Sequence, residues 1–169
     1  EMREVLKQWM VTATRKKDSW ITVDVLPAAC VDDLEAALVF HQPHLLIFAG
    51  HGERTSDGGH ILIFENGSAD IAPLLEAWCK VEHNDLHGLV LNACHSLTTI
   101  PSLGYSIGTT TAVQDAVARA FSTAFVRAIF AGGRAHGSYA TAVEKVSARE
   151  TIQFVSNASV LERILAHES

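Results

Sequence analysis

The feature that most restricts the fold is a pair of short, almost wholly apolar runs, residues 44–49 (His-Leu-Leu-Ile-Phe-Ala) and 88–92 (Gly-Leu-Val-Leu-Asn). Each is too short for a typical helix and lacks the alternation of a strand with one wet face, so both read as parallel strands covered on both sides. Parallel neighbours need a crossover between them. The intervening chain supplies one: residues 71–81 read as a helix, with Asp70 as N-cap and Pro73 among the first N–H groups, which have no intrahelical partner to lose.

The same alternation runs along the chain. Residues 4–9 read as the end of a helix, and residues 20–26 (Trp-Ile-Thr-Val-Asp-Val-Leu), β-branched and stopped by Pro27, as a strand. Residues 31–40 are expected to be helical, with Leu34, Ala37 and Leu38 on one side and Asp32 and Asp33 in the first turn, where the dipole favours carboxylates. Residues 60–64 form a further strand turned by Asn66-Gly67, and residues 105–109 a third buried one. The longest helix is expected over 116–131, because Val117, Phe121, Ala124, Phe125, Ala128 and Ile129 recur at helical spacing and Gly132-Gly133 supplies a left-handed stop. Residues 138–146 and 158–166 complete the set. Strands separated by helices imply right-handed crossovers and a mostly parallel sheet with helices on both faces, an α/β/α sandwich. Trp9, Trp20 and Trp78 are expected at the core or its edge.

With 169 residues, 48% of them hydrophobic, the chain is expected to fold as one compact domain without a disulfide or metal staple. Its net charge of −6, with Arg15-Lys16-Lys17 as the sole basic run, argues against nucleic acid as a partner. No run approaches the roughly 20 apolar residues of a membrane span, and no charged and then apolar leader opens the chain, so a soluble protein is expected. Cys30, Cys79 and Cys94 cannot all pair with one another and show no Cys-x-x-Cys spacing, which points to a reducing, cytoplasmic setting. A first residue of Glu rather than Met suggests a piece of something longer.

In an open α/β sheet the functional crevice lies beyond the carboxyl ends of the strands. The residues standing there are His51, in Gly50-His51-Gly52, and Cys94, in Asn92-Ala93-Cys94-His95-Ser96. A Cys beside an imidazole is a working nucleophile, because the thiolate attacks and the imidazole then protonates the leaving amine. Gly52 leaves room for substrate, and its N–H together with that of Cys94 suits an oxyanion. Asp115, between the 105–109 strand and the long helix, is a candidate for the specificity pocket and equally an N-cap. Glu53 either orients His51 or is exposed, and His95 reads as a loop residue.

Two rival chemistries fail on the same residues. Gly50-His51-Gly52-Glu53-Arg54-Thr55 starts like a dinucleotide fingerprint, but its sixth position is Thr and a turn follows. His51, His60, Cys94 and His95 lack zinc-ligand spacing, and the adjacent Cys94 and His95 point in different directions. No cofactor and no metal are implied. A Cys closing an apolar strand is also an ordinary core residue.

Three stretches carry a family resemblance: Phe48-Ala49-Gly50-His51-Gly52-Glu53; Leu89-Val90-Leu91-Asn92-Ala93-Cys94-His95-Ser96; and Ile107-Gly108 through Ala118-Arg119-Ala120-Phe121 to Phe125-Val126-Arg127-Ala128-Ile129-Phe130-Ala131-Gly132. Together they look like the CHAT domain, a caspase-like cysteine peptidase of the clan that holds caspases, metacaspases and separases. The match runs in order from about residue 3 to residue 146, and Tyr139-Ala140-Thr141-Ala142 resembles the helix that follows. The resemblance implies a caspase-like three-layer sandwich, His51 and Cys94 as a dyad, and Gly52 and Cys94 as oxyanion donors. It also implies hydrolysis of a protein or peptide substrate in bacterial regulated proteolysis or antiviral defence, held in check by a regulatory or sensor protein or an attached domain.

The chain departs from the family in two places. The family fold opens with a strand ahead of the first helix, and this chain starts inside that helix, so a strand is missing. Asn92, the candidate substrate-binding position, is neutral where metacaspase-like relatives carry an acid that binds a basic side chain. Residues 53–59 and 95–104 are the stretches where self-cleavage or a lid is expected. The alternative is a catalytically silent caspase-like interaction domain in a signalling complex.

Overall fold

A computed structural model describes residues 22–56, 58–82, 84–146 and 151–157. The chain clusters into two units: Leu26–Val113 with Glu150–Ser169, and Glu1–Val25 with Gln114–Arg149.

The first unit holds the sheets. Helix α1 (Val31–His41) starts where the Cys30 N–H donates to Asp33 Oδ2 at 2.7 Å, which satisfies a donor at the helix start. It ends where Gln42 enters the left-handed region (φ 43°) and its N–H returns to Leu38 O. Strand β1 (Leu45–Ala49) follows, then β2 (His51–Arg54), β3 (His60–Phe64), β4 (Gly67–Ala69), helix α2 (Ala72–Trp78), β5 (Gly88–Asn92), β6 (Tyr105–Thr109) and β7 (Ile152–Ser156). The main sheet has the order β1-β5-β6-β7, with the first three parallel and β7 antiparallel to β6. Strands β2, β3 and β4 form a separate antiparallel sheet.

One apolar cluster joins these pieces. Leu38 of α1, Leu62 of β3, Leu75 of α2, and Leu89 and Leu91 of β5 are buried in it, with Leu46 and Phe48 of β1 packed against it. Val90, which alternates between Leu89 and Leu91, is buried on the opposite face. Both faces of β5 are therefore covered, as its continuous apolar run requires.

The second unit contains α3 (Asp115–Phe130) and α4 (Ala135–Val146). Phe121 stacks on Phe125 one turn on, with centroids 6.0 Å apart, and meets Tyr139 of α4 edge-on at 6.2 Å. Gly132, at φ 89°, ends α3, and the Gly133 N–H folds back to Ala128 O.

The α/β class and the mostly parallel sheet are as the sequence predicts. Several elements differ. Among the described residues β1 pairs with β5 alone, and its residues are half-buried or, at Ala49, exposed, less covered than the apolar run predicts. Residues 22–26 form no ladder, and Val23 and Leu26 are exposed. A β-branched run favours extended backbone but becomes a strand only where another strand pairs with it. Residues 51–54, where no strand was expected, are β2, which is stabilised by pairing with β3 rather than by its own composition.

The N-cap position of α2 is Ile71, with Asp70 acting from one residue upstream as its Oδ1 accepts the Ala72 N–H at 2.9 Å. The helix stops at Trp78, short of residue 81, and the Asn84 side chain donates to Cys79 O and Val81 O just beyond it. Gln114 occupies the N-cap of α3, so Asp115 is the first helical residue, still placed to favour the dipole. Helix α4 begins at Ala135 rather than 138. Strand β7 has no counterpart in the sequence reading. Trp78 packs at the core edge as expected. The helices expected at 4–9 and 158–166, and Trp9 and Trp20, lie outside the described residues.

Candidate active site

The parallel register of β1 and β5 ends with Ala49 opposite Asn92, so the chain leaves both strands at the same end of the sheet. The Gly50 N–H donates to Asn92 O at 3.2 Å and carries the pairing one residue further. Two residues on, the backbone of Gly52 lies directly against the Cys94 carbonyl and the Ala93 side chain. A Cβ at Gly52 would stand 3.2 Å from the Ala93 Cβ and closer still to the carbonyl oxygen of Cys94, a main-chain atom that cannot rotate aside. Glycine is thus required for the approach. It brings the main chain of Gly50-His51-Gly52 alongside that of Asn92-Ala93-Cys94, which the sequence places far apart.

The turn after β5 is braced by β6. Ala93 O accepts the hydroxyls of Ser96 and Thr109, each at 2.6 Å. Ser96 Oγ also lies 2.9 Å from Leu91 O and accepts the Thr109 N–H at 3.3 Å. Both side chains are buried, with Ser96 at 1% exposure and Thr109 at 2%. The Leu97 N–H donates to Thr109 O and the His95 N–H to Thr111 O. Gly108 completes the brace, since a Cβ there would come within 2.6 Å of the Leu97 Cα. Nothing in the sequence reading assigned Ser96, Thr109 or Gly108 a part. The available signal was a hydroxyl residue two positions after the Cys, paired with a Thr closing the next apolar strand.

His95 adopts φ 50°, a region costly for a side chain of this size and found disproportionately at functional sites. Its Nδ1 is sealed from solvent and has no hydrogen-bond partner. Cys94 is half-buried. Its Sγ accepts the Val113 N–H at 3.4 Å and faces Val113 O at 3.8 Å. Among the described residues no hydrogen bond joins the sulfur to His51, which stands exposed at the start of β2.

The remaining candidates fall as follows. Glu53 is exposed two residues along β2. Asn92 is half-buried at the end of β5, and its carbonyl holds Gly50. Asp115 belongs to the helical unit. His60 lies on β3 opposite Arg54, with a buried Nδ1 that has no partner. Cys30, Cys79 and Cys94 are all free thiols. Among the described residues no three His, Cys, Asp or Glu side chains converge, and no helix is long and apolar enough to cross a membrane.

No protein-family model matches the chain, and no curated protein matches it significantly.

Proposed function

We propose that this chain is a caspase-like cysteine endopeptidase in which Cys94 attacks the scissile carbonyl and His51 moves the protons. The observation that carries the reading is the close approach of Gly52 to the Cys94 carbonyl, which a side chain would block. The motif likeness to the CHAT domain points the same way. The imidazole takes the thiol proton, and the sulfur adds to the carbonyl. The tetrahedral oxyanion is held by the N–H groups of Gly52 and Cys94, and the imidazolium protonates the departing amine. Water, activated by the same imidazole, then releases the acyl group. Loss of one oxyanion donor typically costs about 3 kcal/mol, a rate factor of roughly a hundred. Unliganded sites often lack the full set of catalytic hydrogen bonds, so the lack of a His51–Cys94 hydrogen bond among the described residues does not oppose this chemistry. The substrate is a protein or peptide, activity depends on a regulatory partner or attached domain, and the free thiol suits a reducing compartment.

The test is cleavage of a randomised peptide library by the native chain and by Cys94→Ala and His51→Ala, read by mass spectrometry. Both variants are expected to lose all cleavage while keeping the unfolding midpoint close to that of the parent. Cleavage retained by Cys94→Ala would overturn the proposal. The silent interaction domain is the second reading, favoured by the engagement of the sulfur with Val113 rather than His51. Failure of an acyl-type thiol probe to label Cys94 in the folded, activated protein would support it.

A further inference from the structure

We infer that the Val113 peptide is a latch on the Cys94 sulfur, holding the site at rest until the 110–113 segment moves; this rests on the endopeptidase reading and adds its regulation. Both main-chain groups of Val113 face the sulfur, the N–H as donor at 3.4 Å and the carbonyl at 3.8 Å. In this arrangement the thiol proton points to an amide oxygen, which is no base, and a sulfur lone pair is occupied by an N–H. His51 receives the proton only after that pairing opens.

Two further observations support a resting state. Cys94 is the one hydrogen-bond partner of the Val113 main chain among the described residues, and Thr111, Ala112 and Gln114 around it are exposed. Displacing Val113 therefore breaks no other main-chain bond of that residue, whereas moving all of 110–113 would also open the Thr110–Thr151 and His95–Thr111 pairings. His95, adjoining the sulfur, keeps a left-handed backbone and a sealed ring nitrogen without a partner, two costs that rearrangement of the turn relieves. Val113 is also the last residue of the sheet-bearing unit, and Gln114 and α3 follow it directly.

The test compares the full chain with the loosened variant Ala112→Gly/Val113→Gly and with Val113→Pro, which deletes the N–H. Alkylation of Cys94 by iodoacetamide at fixed pH is followed by peptide mapping, with Cys30 and Cys79 as internal controls. Peptide cleavage is measured in parallel. A net hydrogen bond of ordinary strength corresponds to alkylation about three- to ten-fold faster at Cys94 alone in the loosened variant, whereas Val113→Pro, which removes the donor to the thiolate and leaves the carbonyl, is expected to alkylate no faster than the parent. Faster alkylation with faster cleavage supports the latch. Faster alkylation with no cleavage in any form retains the latch and removes the endopeptidase reading. An unchanged alkylation rate in the loosened variant overturns the latch, whatever the cleavage does. Should a variant fail to fold, the unmodified chain decides: Cys94 alkylation that accelerates in urea well below the unfolding transition supports local release, and acceleration only through that transition overturns it.

Discussion

Replacing Ser96 with Ala tests whether the turn that presents Cys94 is held by its hydroxyl brace. The side chain is 1% exposed, and its oxygen serves two purposes: it donates toward Ala93 O and Leu91 O and accepts the Thr109 N–H. Removing it leaves the buried Thr109 N–H without that acceptor, a cost of about 1–3 kcal/mol, and forfeits the donated bond, worth about 1 kcal/mol net. Ala93 O keeps its second donor, Thr109 Oγ1 at 2.6 Å, so the carbonyl is not orphaned. The expected loss is about 2–3 kcal/mol, a large share of the 5–15 kcal/mol typical of a domain. In urea unfolding the midpoint should fall by about 1 M with an unchanged slope. Thr109→Val supplies the control, because the two hydroxyls share one acceptor. The double variant should cost about 1 kcal/mol more than the two single changes together, since only it leaves Ala93 O bare. A Ser96→Ala loss under about 0.5 kcal/mol, or additivity of the pair, would refute the brace.

Three other outcomes follow from the same geometry. Gly52→Ala forces a methyl group onto the Cys94 carbonyl; it should cost about 1–3 kcal/mol of stability and abolish peptide cleavage, and parental stability in the variant would contradict the packing. Burial pushes the Tyr105 hydroxyl up to about 12, so the unfolded chain loses this proton first on alkalinisation. The contribution of Tyr105 is fully present below about pH 10 and is lost as pH rises to about 12, by up to about 3 kcal/mol relative to Tyr105→Phe. Unfolding curves of the two proteins that stay parallel from pH 9 to 11.5 would exclude this. Burial, with Glu76 adding to it, pushes the Cys79 thiol up to about 11. At pH 8 Cys79 should hold roughly a hundred-fold less thiolate than an ordinary cysteine and alkylate correspondingly slowly, and labelling at the rate of a free peptide thiol would disprove it.

The elements visible in the sequence are those whose own residues decide them. The apolar runs of β1 and β5 and the helical spacing from Val117 to Ile129 announce themselves, because burial on both faces, or on one stripe, needs that pattern. The partial exposure of β1, which pairs with β5 alone among the described residues, was not visible, since a strand's composition does not reveal how many neighbours it has. Strand β2 was hidden because His-Gly-Glu-Arg carries no strand preference and exists through its pairing with β3. Strand β7, with Gln153 and Ser156 among its five residues, has no continuous apolar run and was missed. Cap assignments at Asp70 and Asp115 were each displaced by one residue, as cap positions usually are when read from residue type alone. At the site, the adjacency of the Gly50-His51-Gly52 and Asn92-Ala93-Cys94 backbones follows from strand order and was legible. The brace was not. Ser96 and Thr109 look like ordinary loop and strand residues, and their meeting across 13 residues of chain depends on the register of β5 with β6.

The hydroxyl brace at Ala93 ends on main-chain atoms of residues 91, 93 and 109, and none of it passes through the sulfur. The pedestal is therefore indifferent to the atom it displays. A Ser or Ala at position 94 would sit on the same support, so reactivity can be tuned or extinguished by one substitution while the architecture underneath persists.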